Sequence, residues 1–589
     1  MSETPMEDRP RRVRRRRRSM GTASAPPSAA DPGAWQTVGI VAAVAIVLVV
    51  IGLLVPLPTS DGDAAGDVQP VDSSTAVCPE PGSTDGSLTT SMITVVPGQP
   101  GQDREGDATV SFLEGGESDG SGGDTQDVGD GTNSEIRGSL TAPGDVALVS
   151  SLESRLPALQ VRALGGLAPG LVAAQTTRDS FSAGRGLASQ PCLGPDTTWW
   201  FVGGGSTPGR ETSLVLVNPE STQAELEVAI KGPDGPVSTP RLRGLVVEPR
   251  SRVVVRLSRE APRLPVVAWR VTVRQGRVMA ALSDREAEGF IPRGADWIPA
   301  SVDPATRVLV PGVSGGDGGR QLLIHAPGDL AATVRIRLIT AQGSFVPSAT
   351  PEVEVPGGSV VAVDLDESLQ GEDATVDLQS DLPIVAGVRQ RHVPAEGDTG
   401  SLEETSFTAG AASITGASAV TSLPAERGTR VTVWVTAPDD VIEIEAAPLP
   451  DVSSASADPS ASGASSPSPS GSAPATPTPE ATVAEEGTAN VTLRVLPVSP
   501  EGQALPAAED IVVSVPRGRL VAVDIPRPEG AEWFTLVATV SDGQVVIAHR
   551  ATRRTKEGRL VTGYPWFPLR SAVVVPRAVP VPGLAVAGS

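Results

Sequence analysis

Tyrosine occurs once in the 589 residues, cysteine twice and histidine three times; with eight Trp and eight Phe, the aromatic fraction is 3%. So few rings leave little for stacked sugar platforms, and three histidines leave little for acid–base or zinc chemistry. Lysine is confined to Lys231 and Lys556, so nearly every cation is Arg. Positive charge is scarce and badly distributed. The net charge is −22, yet the first 32 residues carry eight Arg against Glu3, Glu7, Asp8 and Asp31, so the rest of the chain sums to −26. A body this acidic repels phosphates and anionic headgroups, which argues against nucleic acid as a partner. The chain has no H-E-x-x-H, no P-loop and no C-x-x-C, so no cofactor is expected.

What is abundant is Gly (63) and Pro (56), a composition that points to many short strands joined by turns. The length fits three to five domains. From Gly33 to Ser60 there is no charge, and Thr37 to Val55 is almost wholly apolar, enough for one helix across a hydrocarbon core of roughly 30 Å. Arg9, Arg11, Arg12 and Arg14 through Arg18 precede it, while Asp61, Asp63 and Asp67 follow. The positive-inside rule then predicts a cytoplasmic N-terminus and an extracytoplasmic body at the cell membrane. A cleaved signal peptide is the rival, but the span exceeds the usual apolar region and no clear A-x-A site follows Pro56. Export makes an oxidising compartment the expectation, so Cys78 and Cys192 are expected to form a disulfide.

Three stretches alternate apolar and polar residues with period two: Leu226, Val228, Ile230; Val334, Ile336, Leu338; and Val491, Leu493, Val495. Each describes a half-buried strand, and each is followed by a turn. Two further landmarks recur with them. Pro249, Pro356 and Pro516 lead into valine-rich runs, and a hairpin is expected at Gly276, Leu382 and Gly543. The proline spacings are 107 and 160, the hairpin spacings 106 and 161. Leu171 and Pro143 fall at matching offsets, which implies a degenerate first copy.

Six or seven short strands in roughly 105 residues fit a β-sandwich. The expected fold class is mainly β, with one N-terminal transmembrane helix and about four tandem immunoglobulin-like β-sandwich modules. The expected boundaries are a disordered, Arg-rich cytoplasmic tail over 1–34, the transmembrane helix over 35–55 and a linker over 56–77. Sandwich modules then occupy 78–196, 197–300, 301–418 and 419–589. The last carries a disordered Ser/Ala/Pro insertion at about 451–487, read either as a flexible spacer or as an O-glycosylated stalk.

Candidate chemistry is thin. His325, His392 and His549 lie in or beside expected strands, and the repeat spacing places His392 and His549 at one repeat position. Asp119, Asp124, Asp127 and Asp130 sit among glycines without calcium-loop spacing. Gly203 to Gly205 and Gly315 to Gly319 are glycine-rich but open no helix, and read as hinges or turns. Asp284 with Glu286 is the carboxylate pair a hidden envelope hydrolase would use. Trp199, Trp200, Trp297 and Trp566 are the rings a glycan-binding surface would need, although their recurrence near module ends favours burial.

The Arg-rich anchor, Cys78-Pro79 with Cys192, Trp199-Trp200, and the blocks LVLVNP and VEPRSRVVVRL together resemble an uncharacterised family of membrane-anchored exported proteins from high-GC Gram-positive bacteria. It is catalogued as a domain of unknown function. Some members are labelled "large extracellular alpha-helical protein", which this strand-rich sequence contradicts. The resemblance implies location and source and brings no functional residues. The expected function is a membrane-tethered structural or interaction protein of the cell envelope, not an enzyme. It would contact the bilayer through its N-terminal helix and an envelope protein or glycan through its modules.

Overall fold

Period-two alternation becomes strand because one face of each segment can then be buried against a second sheet while the other stays wet. In the strand Ala224–Gly232, Leu226, Val228 and Ile230 are fully buried and the residues between them only partly so. The computed structural model describes residues 67–575 except 81–86, 114, 116, 119–135, 153–155, 180–183, 395–399 and 440–486. The apolar stretch at 35–55 and the insertion at 451–487 lie outside or almost outside the described residues. Among the described residues no helix is long and apolar enough to cross a membrane.

Within Val68–Val575 there are four two-sheet sandwiches with one strand order. The second has eight main strands: Thr198–Val202, Arg210–Val217, Ala224–Gly232, Arg243–Val247, Arg252–Arg256, Ala268–Gln275, Met279–Glu288 and Ile291–Ile298. Its first sheet runs first–sixth–third–fourth and its second fifth–second–seventh–eighth, all antiparallel. The sandwiches over 73–191, 305–409 and 417–562 repeat that order. Each has its own apolar interior, such as Trp199, Phe201, Leu214 and Trp269 in the second and Val433, Leu493, Leu536 and Trp566 in the fourth. Complete burial of one such aliphatic side chain contributes about 1.5–3 kcal/mol.

Two expectations change here. The residues Gly276, Leu382 and Gly543 are not hairpin tips, because the sixth and seventh strands on either side of each belong to opposite sheets. They are corners that carry the chain across the core. Gly276 and Gly543 turn there with φ +76° and +79°, whereas the third sandwich makes the same crossing inside one unbroken strand, Ala374–His392. In the immunoglobulin constant arrangement the first and second strands are neighbours in one sheet, whereas here the first pairs with the sixth and lies in the sheet opposite the second, so the strand order is a different one, and the description that holds is a β-sandwich.

Cys78 closes the first strand of the first sandwich and Cys192 follows its eighth; they form a disulfide with Cα atoms 4.6 Å apart.

The sandwiches do not extend as a row. The outer face of each first sheet packs on the outer face of the next sandwich's second sheet, and the fourth sandwich packs on the first in the same manner. Val77, Leu113 and Ala158 meet Val215, Val254, Met279 and Trp297 at the first junction. Trp200, Val202 and Ala268 meet Leu323, Val360 and Val385 at the second. At the third, Trp434 Nε1 donates to Asp373 Oδ2 (2.9 Å) and the Thr375 and Thr436 hydroxyls bond at 2.7 Å. At the closing junction Trp533 and Val498 pack on Met92, and Thr176 Oγ1 donates to the Ser422 carbonyl at 2.8 Å. A head-to-tail contact repeated with a rotation that closes gives a ring. The two ends of this unit also meet, since the Val71 amide donates to the Ser571 carbonyl at 3.2 Å.

Candidate functional site

The eighth strands line the centre of the ring. Gly186–Pro191, Ile291–Ile298, Glu404–Ala409 and Arg559–Thr562 each contact two of the others in a closed circuit. Backbones come close enough there that a side chain at Gly294 would collide with the Thr405 amide. Each sandwich supplies a polar group to this hub. Asp296 Oδ1 accepts from Thr562 Oγ1 (2.9 Å), Trp297 N (2.9 Å) and Ser189 N (3.3 Å), while Oδ2 is buried without a hydrogen bond. Glu404 Oε1 accepts from the Ala295 and Thr405 amides, both at 3.2 Å, and Oε2 lies 3.9 Å from Arg185 Nη1. Burial pushes both carboxyls well above their ordinary range. Glu404 adds to the effect on Asp296, and Arg185 offsets part of it on Glu404. Both carboxyls are buried and only Glu404 has a guanidinium within 4 Å, so the contacts of this hub tie four sandwiches in register.

An open groove of about 460 Å³ lies where the second sandwich meets the third. One wall is the turn between the seventh and eighth strands of the second sandwich, with Glu286, Glu288, Gly289 and Arg293. The other is the seventh strand of the third, where Arg389 and Arg391 share a face at strand spacing, with Glu403 beside them. Arg293 pairs with Glu288 and with Glu403 (2.8 Å), Arg389 pairs with Glu286, and Arg391 lies 4.0 Å from Glu403. The Arg389 Nε is buried with no hydrogen bond, and burial lowers the pKa of that guanidinium. At the tip of the turn Phe290 is completely exposed, next to the half-exposed Ile291.

The residues singled out by sequence fall into different places. Asp284 and Glu286 both lie inside the strand Met279–Glu288, each paired with an arginine. Asp284 is buried, held by Arg210 Nε (3.1 Å to each oxygen) and Thr212 Oγ1 (2.5 Å). Burial raises its pKa against the pull of Arg210. Glu286 is committed to Arg389. Trp199, Trp200, Trp297 and Trp566 are all buried and form no platform. Trp199 and Trp200 point to opposite faces of one strand, the first into the core of its sandwich, the second into the junction beneath Arg270.

His392 and His549 are not one repeat position. His549 pairs with Val433 mid-strand, while His392 ends its strand opposite Glu404. Trp566 Nε1 donates to His549 Nδ1 (3.2 Å), and His325 Nδ1 donates to the Ser359 carbonyl (2.7 Å). Both imidazoles are kept neutral by burial, with values near 3 and 4. The sequence reading overlooked one G-x-S-x-G string, Gly312-Val313-Ser314-Gly315-Gly316, which has the spacing of a nucleophile elbow, but Ser314 is buried and its hydroxyl donates to Gln390 Oε1 at 2.8 Å. Gly203 to Gly205 lie between the first and second strands of the second sandwich; Gly315 and Gly316 lie likewise in the third, and Gly318 and Gly319 open its second strand. The Thr212 hydroxyl braces the former at Gly205 (2.8 Å). Of the acidic stretch only Gly115, Glu117 and Ser118 are described, and Glu117–Ser118 pairs in parallel with Arg252 and Val253. Among the described residues no three His, Cys, Asp or Glu converge as a metal site.

A family model described as "Family of unknown function (DUF5719)" matches residues 147–460, a little over half the chain, which includes the groove, Asp296 and Glu404. No curated protein matches the sequence. Among solved structures, Escherichia coli alpha-2-macroglobulin activated by porcine elastase aligns at 10% identity over 84% of this chain and 43% of that one, with a TM-score of 0.12. The chain thus spans less than half of that structure, and a likeness this slight carries no argument.

Proposed function

The chain belongs to that family, DUF5719, and on that premise we propose that it is a membrane-tethered, extracytoplasmic interaction protein of the cell envelope. It presents a rigid ring of β-sandwiches to a partner. The observation that carries the reading is the disulfide Cys78–Cys192 in a chain that also has an uncharged apolar stretch from Thr37 to Val55 behind an Arg cluster. The closed packing of the fourth sandwich on the first favours binding over spacing, because a ring spans far less distance than four modules in a row.

A glycan-binding role through tryptophan platforms has less support, since those rings are buried. Protease added to living, wall-stripped cells tests the reading. Degradation of the sandwiches with the N-terminal tail protected supports it, and full protection of the sandwiches overturns it. Crosslinking in cells followed by mass spectrometry identifies the partner.

A further inference from the structure

We propose that the rim edge of the third sandwich, its fifth strand Val360–Asp364, is a strand-addition site for an extended polypeptide segment that carries a basic residue. This rests on the reading of the protein as an interaction protein and names the partner chemistry of one edge. The eighth strands lie at the hub, so the fifth, at the other end of the same sheet, lies on the rim. An edge strand leaves every second N–H and C=O open to pairing with another chain. In the third sandwich the Leu365 amide donates to the Arg320 carbonyl opposite it (2.9 Å), and alternation along the ladder then turns the backbone groups of Val361 and Val363 inward. Those of Ala362 and Asp364 point outward, and both residues are exposed.

The molecule already uses the equivalent edge of the second sandwich in this way. There the Asn218 amide donates to the Ser251 carbonyl (3.0 Å), which sets Ser251 where Ser359 stands, and each of these hydroxyls donates at 2.7 Å to the carbonyl three residues back. The residues that follow, Arg252 and Val253, are paired in parallel by Glu117–Ser118, from the long loop between the third and fourth strands of the first sandwich. The corresponding loop of the second sandwich is shorter and reaches only Gly358, through Pro236. Among the described residues no strand pairs with the outer side of Val360–Asp364.

Charge decides which segment fits. In the occupied edge the register sets the acidic Glu117 opposite the basic Arg252. At the open edge the sign is reversed. Asp329 beside Gly357, Glu354 in the fourth strand, Asp364 and Glu367 are all exposed, and among the described residues none of them is in an ion pair. Asp364 Oδ1 accepts only from the Asp366 amide (2.9 Å). A basic residue across from Asp364 completes a cross-strand pair of opposite charge, and Leu330, 70% exposed next to Asp329, gives an apolar contact beside it.

Fluorescence anisotropy of the full chain in detergent, with a labelled peptide of alternating Val and Thr around one central Lys, tests the assignment. Ala362→Pro removes an outward N–H and leaves the ladder to the second strand intact. Asp364→Asn keeps the acceptor for the Asp366 amide and drops the charge, and circular dichroism checks that both variants fold. Saturable binding is expected, weakened about tenfold by Ala362→Pro, less by Asp364→Asn, and lost when the peptide amides are N-methylated. No saturable binding, equal binding by wild type and Ala362→Pro, or undiminished binding of the N-methylated peptide overturns the site. The methylated-peptide comparison uses wild type alone, so it decides even where a variant fails to fold. Equal affinity for the same peptide with Glu in place of Lys overturns the charge assignment. Dimerisation that Ala362→Pro abolishes, without peptide binding, overturns the peptide in favour of a second copy of the chain. Failure here leaves the protease result on location untouched, and the converse also holds.

Discussion

Thr562 Oγ1 donates a 2.9 Å hydrogen bond to Asp296 Oδ1 across 266 residues of sequence, joining the last strand of the fourth sandwich to the last strand of the second. The two sandwiches are not neighbours in the ring order, so this bond crosses its centre. It shows that closure is held by polar contacts at the axis as well as by apolar junctions at the rim.

Removing that donor with Thr562→Val leaves Asp296 Oδ1 with the Ser189 and Trp297 amides. A loss of about 1–2 kcal/mol is expected, the cost of a buried acceptor losing one partner. The check is a lower urea midpoint with an unchanged slope, because the surface exposed on unfolding stays the same.

Titration acts on the fold from both sides. Asp296 and Glu404 have raised folded-state values, so the folded protein holds protons that the unfolded chain releases. Their contribution is complete below the ordinary carboxyl range and is lost as pH rises through the folded values. Asp296→Asn, a permanently neutral isostere, is expected to flatten that loss. His325 and His549 have the opposite sign. Their folded values near 4 and 3 lie below 6.5, so stability is full above pH 6.5 and falls as acid is added. For His325 the loss is about 3 kcal/mol at the acid limit. Denaturation midpoints across the pH range, for wild type and for Asp296→Asn and His549→Gln, separate the two limbs.

The disulfide closes a separation of 114 residues around the first sandwich. Replacing Cys78 and Cys192 with Ala is expected to cost about 4–5 kcal/mol by the loop-entropy argument. Hydrogen exchange in the strands Leu88–Val95 and Leu159–Gly165 should rise first, ahead of the second and third sandwiches.

Trp533 packs on Met92 at the junction that closes the ring. Trp533→Ala is expected to cost about 3–5 kcal/mol and, because closure depends on that contact, to increase the radius of gyration in small-angle scattering. Ser422 is the second tie there. It holds φ +60° in a bulged strand so that its carbonyl meets Thr176, while its hydroxyl donates to the Thr90 carbonyl (3.2 Å). Ser422→Gly allows the same backbone conformation and removes the hydroxymethyl group, so a smaller loss than for Trp533→Ala is expected.

Much of the strand positioning is legible from residues alone. Leu226, Val334 and Val491 each sit in a third strand, and Leu171, Ile384 and Val545 each begin or border a seventh. Pro143, Pro249, Pro356 and Pro516 all stand between or at the junction of a fourth and a fifth strand, as an imide that donates no ladder hydrogen bond requires. The candidate site is hardly legible. Asp284 and Asp296 occupy core-parity positions beside Leu282 and Ile298, a signal the sequence does contain. Glu404 carries no such mark, and neither does Arg389, whose partner Glu286 comes from another sandwich.

Composition and period determined that this chain makes short half-buried strands with prolines and glycines at their ends, and two cysteines were enough to specify their own pairing. Those are local consequences of side-chain spacing. Which sheet the seventh strand joins, which of Trp199 and Trp200 faces inward, and that the fourth sandwich returns to the first were decided only by tertiary packing. A strand's alternation records that one face is covered, and the covering face lies elsewhere in the chain, with no spacing rule to connect them.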